Sequence, residues 1–130
     1  FDQYIEDLSP SFCSIWNQAY QAEQSGLKDI CGPGYRKALE YLIKDYLISQ
    51  NPNKREYYQS KLLGNCIRDD IKDPRIKACA ERAAWLGNDE VHYDKKWKGK
   101  EVKDLKTLIE LSLHWILMEH LTGTYETDMQ

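Results

Sequence analysis

The chain of 130 residues is predicted to be an all-α bundle of about five helices, and three observations predict it. Valine occurs only at positions 91 and 102 and threonine only four times, while leucine and isoleucine dominate the apolar set. Apolar residues recur at three- and four-residue spacing over long stretches. The 7 glycines and 4 prolines are too few to punctuate a many-stranded sandwich, and several sit where helices start or stop. With 42% hydrophobic and 30% charged residues the composition is that of a folded domain, neither a disordered tail nor a membrane protein. A net charge of -3 argues against a dedicated nucleic-acid binder.

Residues 1–8 are an acidic lead-in whose Tyr4, Ile5 and Leu8 are expected to dock on the bundle. The domain proper is placed at 9–122. Ser9-Pro10 combines a hydroxyl N-cap with proline at N1, so a first helix runs to about Ser25 and stops at Gly26. Phe12, Ile15, Trp16, Ala19 and Tyr20 share one face of it. In the second helix Tyr35, Ala38, Leu39, Leu42, Ile43, Tyr46 and Leu47 form the clearest buried face, with Lys37 and Lys44 pointing away. Gly32-Pro33-Gly34 either opens this helix or kinks a longer one starting near Leu27, and Asn51-Pro52-Asn53 ends it. A third helix is expected over 54–68 with Tyr58, Leu62 and Cys66 inward. Asp73-Pro74 starts a fourth, burying Ile76, Cys79, Ala80 and Ala83 and capped near Gly87-Asn88.

The fifth helix spans Glu101 to Leu121, with Gly123 as its stop and 123–130 as a polar tail. Leu105, Leu108, Ile109, Leu113, Ile116 and Leu117 make its core stripe. Leu111, Trp115 and Met118 make a second apolar stripe, which fits either a central helix or the seam of a homodimer.

The chain opens at Phe1 with no signal-peptide pattern, and is read as a piece of a longer protein whose other domains are partner candidates. Cys13, Cys31, Cys66 and Cys79 form no CxxC pair, which excludes a zinc ribbon. Thiols among apolar residues in a chain with a core of its own point to a reduced, cytoplasmic protein without membrane attachment. No signature for a phosphate loop, a zincin, a nucleophile elbow or an EF-hand is present, and no metal or cofactor is expected.

Three histidines occur. His114, four residues after Glu110, suits a local helix pair, and His120 suits a capping role near a helix end. His92 lies in the densest polar cluster, Asn88-Asp89-Glu90-Val91-His92-Tyr93. A metal site there is disfavoured, because adjacent carboxylates diverge. General acid–base work by His92 on a phosphodiester, oriented by Asn88, is the catalytic reading. A polar loop in which Asn88 caps the helix is the plainer one, and from residues alone it carries more weight. Arg36 and Glu40 border the buried face and read as an ion pair, able to fix the 88–92 segment across the bundle; with Asp89 they make a structural polar cluster. Lys95, Lys96 and Trp97 belong to a lysine-rich stretch directly after His92 and are the candidate RNA contacts, against a plain solvated loop.

GPGYRKALEYLIKDYL (32–47) and AAWLGNDEVHY (83–93) together resemble the bacterial domain of unknown function 4145, a helical family related to the HEPN superfamily. The resemblance spans about Ser9 to Leu121. It implies a HEPN-like bundle that pairs with a second copy, often in bacterial defence settings. It also implies, for active members, metal-independent RNA cleavage by an arginine, a polar residue and a histidine. Asn88 and His92 match the last two, whereas Gly87 stands at the arginine's place and Arg82 or Lys95 is the nearest substitute cation. Loss of that cation would typically cost on the order of 10²–10³ in rate. An association module without strong catalysis is therefore the expectation, with a ribonuclease using His92 as the alternative.

Overall fold

A computed structural model describes all residues, 1–130, and every regular element in it is helical. Helices α1 (Gln3–Leu8), α2 (Pro10–Gln24) and α3 (Lys28–Gln50) lead into a 3₁₀ turn at Pro52–Lys54. Then come α4 (Arg55–Ser60), α5 (Leu63–Asp70), α6 (Pro74–Val91) and α7 (Val102–Asp128). No helix is long and apolar enough to cross a membrane. The four cysteines are free thiols.

α3 is the axis of the bundle, packed by α2, α5, α6 and α7. The expected face of α3, from Tyr35 to Leu47, is buried throughout. Of the two readings of its start, the longer helix holds, and Pro33 lies inside it. α2 begins as the sequence suggested: Ser9 Oγ accepts from Phe12 N, Pro10 follows, and the same hydroxyl donates to Asp45 of α3. Its end is a Schellman turn. Leu27 N donates to Ala22 O (2.9 Å) and Gly26 N to Glu23 O (3.0 Å), with Gly26 at φ 77°, a backbone that favours glycine.

Several expected boundaries move. The lead-in contains a short helix, whose Ile5 is fully buried and whose Tyr4 stacks on His120 at 3.7 Å between ring centroids. His120 is thus a stacking partner on an exposed surface, not a cap. The single helix predicted over 54–68 is two, because Lys61 and Leu62 adopt extended backbone. That break turns Leu62 outward and places Leu63 in the core. α6 does not stop at Gly87-Asn88 but runs to Val91, and His92 is its cap residue. α7 continues through Gly123 to Asp128, so the expected polar tail is helical. Tyr20 is exposed. Lys44, expected outside, is buried: its ammonium pairs with Glu40 (2.9 Å) and donates to the Gln59 carbonyl (3.2 Å). The long stem crosses the apolar face while the charge finds oxygen partners at its rim.

Candidate functional site

The polar residues flagged by the sequence gather at the C-terminal end of α6, where it meets α3 and the 92–101 connection. Arg36 on α3 donates from Nε to Asn88 Oδ1 (3.3 Å) and from Nη1 to Glu40 Oε1 (3.1 Å). Glu40 also receives Lys44, so one carboxylate holds two cations. Burial opposes that charge, but the hydrogen bonds and charges of Lys44 and Arg36 outweigh it and hold the carboxyl below its usual range. The Arg36 stem lies directly over Gly87, where a Cβ would stand 2.8 Å from its Cγ. Glycine at 87 therefore lets α3 and α6 close on each other and lets the guanidinium reach Asn88.

Asp89 does not belong to this cluster. It is only 6% exposed and turns the other way, accepting from the backbone N–H of Lys96 (3.0 Å) and Trp97 (2.8 Å). Burial works against its charge, yet those two amides, with Lys95 and Lys96 near, bring its carboxyl below the ordinary range. The helix is followed by a connection with no regular structure, and Asp89 is what folds that connection back. The consequence is a parallel stack of Trp97 on Trp85, with centroids 5.6 Å apart and planes 6° from parallel. Nothing in the periodicity of the sequence signals this pairing, since Trp97 lies outside any helix.

Two cavities share the indole pair. One, of about 630 Å³, is lined by Asn88, Asp89, His92, Tyr93, Asp94 and Lys96 besides the tryptophans. The other, of about 350 Å³, lies between α6 and α7 and is lined by Arg82, Leu86, Lys100, Asp104, Thr107 and Leu108. Asn88 and His92 thus share a cavity with Lys96, while Arg82 lines its neighbour. Arg82 donates to the Ala78 carbonyl (3.0 Å) and its Cζ sits 5.2 Å from the Trp85 ring centroid. Lys95 reaches the Lys100 carbonyl instead (3.3 Å). The His92 side chain is exposed and makes no hydrogen bond within the chain, and Asn88 Oδ1 is occupied by Arg36. No three His, Cys, Asp or Glu side chains converge to hold a metal ion.

Further along α7, on the face that Asp104 begins, lies the second apolar stripe. Leu111 and Met118 are 39% and 42% exposed. Leu121 extends it at the expected end of the helix, and Tyr125 carries it into the segment 123–130, which is helical rather than a polar tail. Trp115 is only half exposed, lies against the core, and is covered by the Arg75 guanidinium 4.6 Å from its ring centroid. Comparison of the chain with family models, with curated proteins and with solved structures finds no match.

Proposed function

We propose that this chain is a HEPN-like helical association module of a larger bacterial protein, pairing with a second copy through α7, and that it is without strong catalytic activity. The observation that carries the reading is the exposed stripe of Leu111, Met118 and Tyr125, spaced seven residues apart, with Leu121 beside it. A seven-residue repeat keeps one seam facing a partner helix. An isologous pair covers the same stripe on both copies at once, which a lone chain leaves in water. Trp115, held under Arg75, supports the stripe from beneath more than it contributes to a seam.

The polar cluster fits an architectural role in the same reading. Arg36 and Asn88 join α3 to α6; Arg36 donates to both Asn88 and Glu40, and Asn88 Oδ1 accepts from Arg36. Asn88 and His92 share a cavity with Lys96, but Arg36 occupies Asn88 Oδ1, Arg82 is turned to Trp85, and His92 has no orienting partner for catalysis. A defence-related role of the larger protein is part of the proposal through the family resemblance.

Sedimentation equilibrium across micromolar to millimolar concentrations tests it. Wild type is expected to dimerise, and Met118→Glu to be monomeric with an unchanged circular dichroism spectrum. A wild type that stays monomeric throughout overturns the association reading. Incubated with labelled single-stranded RNAs in EDTA, the protein is expected to leave them intact; cleavage abolished by His92→Ala would instead establish the ribonuclease.

A further inference from the structure

The smaller cavity has a chemistry that neither the α7 seam nor the His92 cluster uses. Its wall is the Trp85–Trp97 stack, its floor Leu86 and Leu108. About 350 Å³ is at the low end of small-molecule sites. Of its polar groups, Thr107 Oγ1 is spent on the Lys103 carbonyl (2.9 Å), and Asp104 accepts from the Glu101 backbone in the α7 capping box (2.9 Å). Arg82 and Lys100 remain, and neither takes part in an ion pair. Two cations against one carboxylate leave the lining with a single net positive charge.

We infer that this cavity is a binding site for a small planar aromatic monoanion, an aryl carboxylate or sulfonate, held between the indole wall and the Arg82 and Lys100 head groups. Flat ligands suit the parallel indoles, because stacking rewards a π face that an aliphatic chain lacks. The guanidinium over Trp85 already shows how a charged group and that ring coexist, and an anion beside it would be paired while the ring stays stacked. Asp104 opposes a second negative charge, so the doubly charged phosphate of a nucleotide fits poorly. None of Leu111, Met118, Leu121 and Tyr125 lines this cavity, which lies further towards the start of α7.

The test uses the indole N–H signals of ¹⁵N-labelled protein, four in all, titrated with 2-naphthoate. The expected result is saturable movement of the Trp85 and Trp97 signals, with those of Trp16 and Trp115 fixed. The neutral isostere 2-naphthalenemethanol is expected to bind about tenfold or more weakly, and Arg82→Gln and Lys100→Gln each to weaken naphthoate about tenfold, the scale of losing one charge-assisted contact. The unmoved Trp16 and Trp115 signals report that each variant keeps its fold. Met118→Glu is expected to bind naphthoate as wild type does, which separates this site from the seam. The inference is overturned by absence of saturable shifts, by equal binding of the neutral alcohol, by indifference to both substitutions, or by adenosine monophosphate binding more tightly than naphthoate.

Discussion

Replacing Asp89 with asparagine tests the claim that one buried carboxylate shapes the whole region after α6. The substitution keeps volume and one carbonyl oxygen, but exchanges the second oxygen for an NH₂ that faces an amide donor. In the native protein Oδ1 receives Lys96 N–H and Oδ2 receives Trp97 N–H, at 3.0 and 2.8 Å. The asparagine can satisfy one of these amides and must turn a donor towards the other. A hydrogen bond to a charged group contributes about 1.5–3 kcal/mol, and a neutral one about 1 kcal/mol. Loss of one charged bond and weakening of the other therefore predicts a local destabilisation of about 2–4 kcal/mol. That loss falls on the connection, which packs on α6 mainly through the Trp97 indole, so it is read best locally. Amide hydrogen exchange at Lys96 and Trp97 should accelerate by roughly 30- to 700-fold, since each 1.4 kcal/mol is a factor of ten. The Trp85–Trp97 stack should loosen with it, visible as a changed near-ultraviolet circular dichroism signal. The same connection should also loosen in acid. Asp89 has its folded pKa below the unfolded value of about 3.9. Its contribution is therefore present above that unfolded value and lost as pH falls through the folded one. Unchanged exchange at Lys96 and Trp97 in Asp89→Asn would refute the reasoning, because it would mean the fold of the connection does not depend on that carboxylate.

Gly87→Ala is expected to destabilise the protein despite the better helix propensity of alanine. Relief of about 1 kcal/mol in propensity is set against a Cβ standing 2.8 Å from Arg36 Cγ and 3.1 Å from its Cβ, a crowding of about 1–3 kcal/mol. Thermal melting checks the sign, and an added Arg36→Ala, which removes the crowded stem beyond Cβ, should recover part of the loss. Glu23 joins three helices, accepting from Tyr35 Oη (2.7 Å) and pairing with Lys106 (3.0 Å), and the Tyr35 hydroxyl is the main cause of its lowered pKa. Its stabilisation is present above the unfolded carboxyl value of about 4.3 and disappears as pH falls through the folded one. Denaturant melts at pH 7 and pH 3 should therefore differ less for Glu23→Gln than for wild type. Tyr46→Phe removes the hydroxyl that donates to Glu119 of α7, and should cost about 1 kcal/mol in the same melts.

The parts of the fold that were legible in the sequence are those whose information is periodic. The α3 face from Tyr35 to Leu47 repeats at helical spacing and is buried as expected; of the α7 stripe Leu105, Ile109, Leu113 and Ile116 are buried, while Leu108 and Leu117 are only half-buried. Ser9-Pro10 and Asp73-Pro74 were legible because a cap is a local bond: Asp73 Oδ1 accepts from Arg75 N at 2.8 Å and from Ile76 N at 3.2 Å, two and three residues on. The Arg36–Glu40 pair was legible for the same reason, one turn apart on one helix. Stops were less legible. Gly87 and Gly123 look like C-caps by residue type, yet each sits inside a helix, Gly87 because Arg36 needs the space and Gly123 with nothing against it. Lys44 was misplaced because its charge marks it as exposed: Glu40 lies one turn away on the same helix, but the Gln59 carbonyl reaches the ammonium only after α3 and α4 pack.

Asp89 shows why the site itself was less legible than the bundle around it. A carboxylate that binds side chains leaves complementary letters in the sequence, an arginine or a lysine at a fitting distance. One that binds backbone N–H groups leaves none, because every residue but proline carries that donor. The grouping of Asp89 with Arg36 and Glu40 followed charge complementarity, and the geometry divides them: Arg36 takes Asn88, while Asp89 takes the amides of 96 and 97. That division has a consequence for the two cavities. The residue that folds the 92–101 connection is not the one that ties α3 to α6, so the connection and the helix pair can be perturbed separately. Both cavities borrow the same wall, Trp97 laid on Trp85, and that wall stands only while Asp89 holds the Lys96–Trp97 backbone. A ligand that stacks on the indoles must then stabilise the bound form of the connection, and by linkage a stabler connection must bind that ligand more tightly. Naphthoate should accordingly slow amide exchange at Lys96 and Trp97 in wild type, and Asp89→Asn should weaken naphthoate although Asp89 does not itself line that cavity.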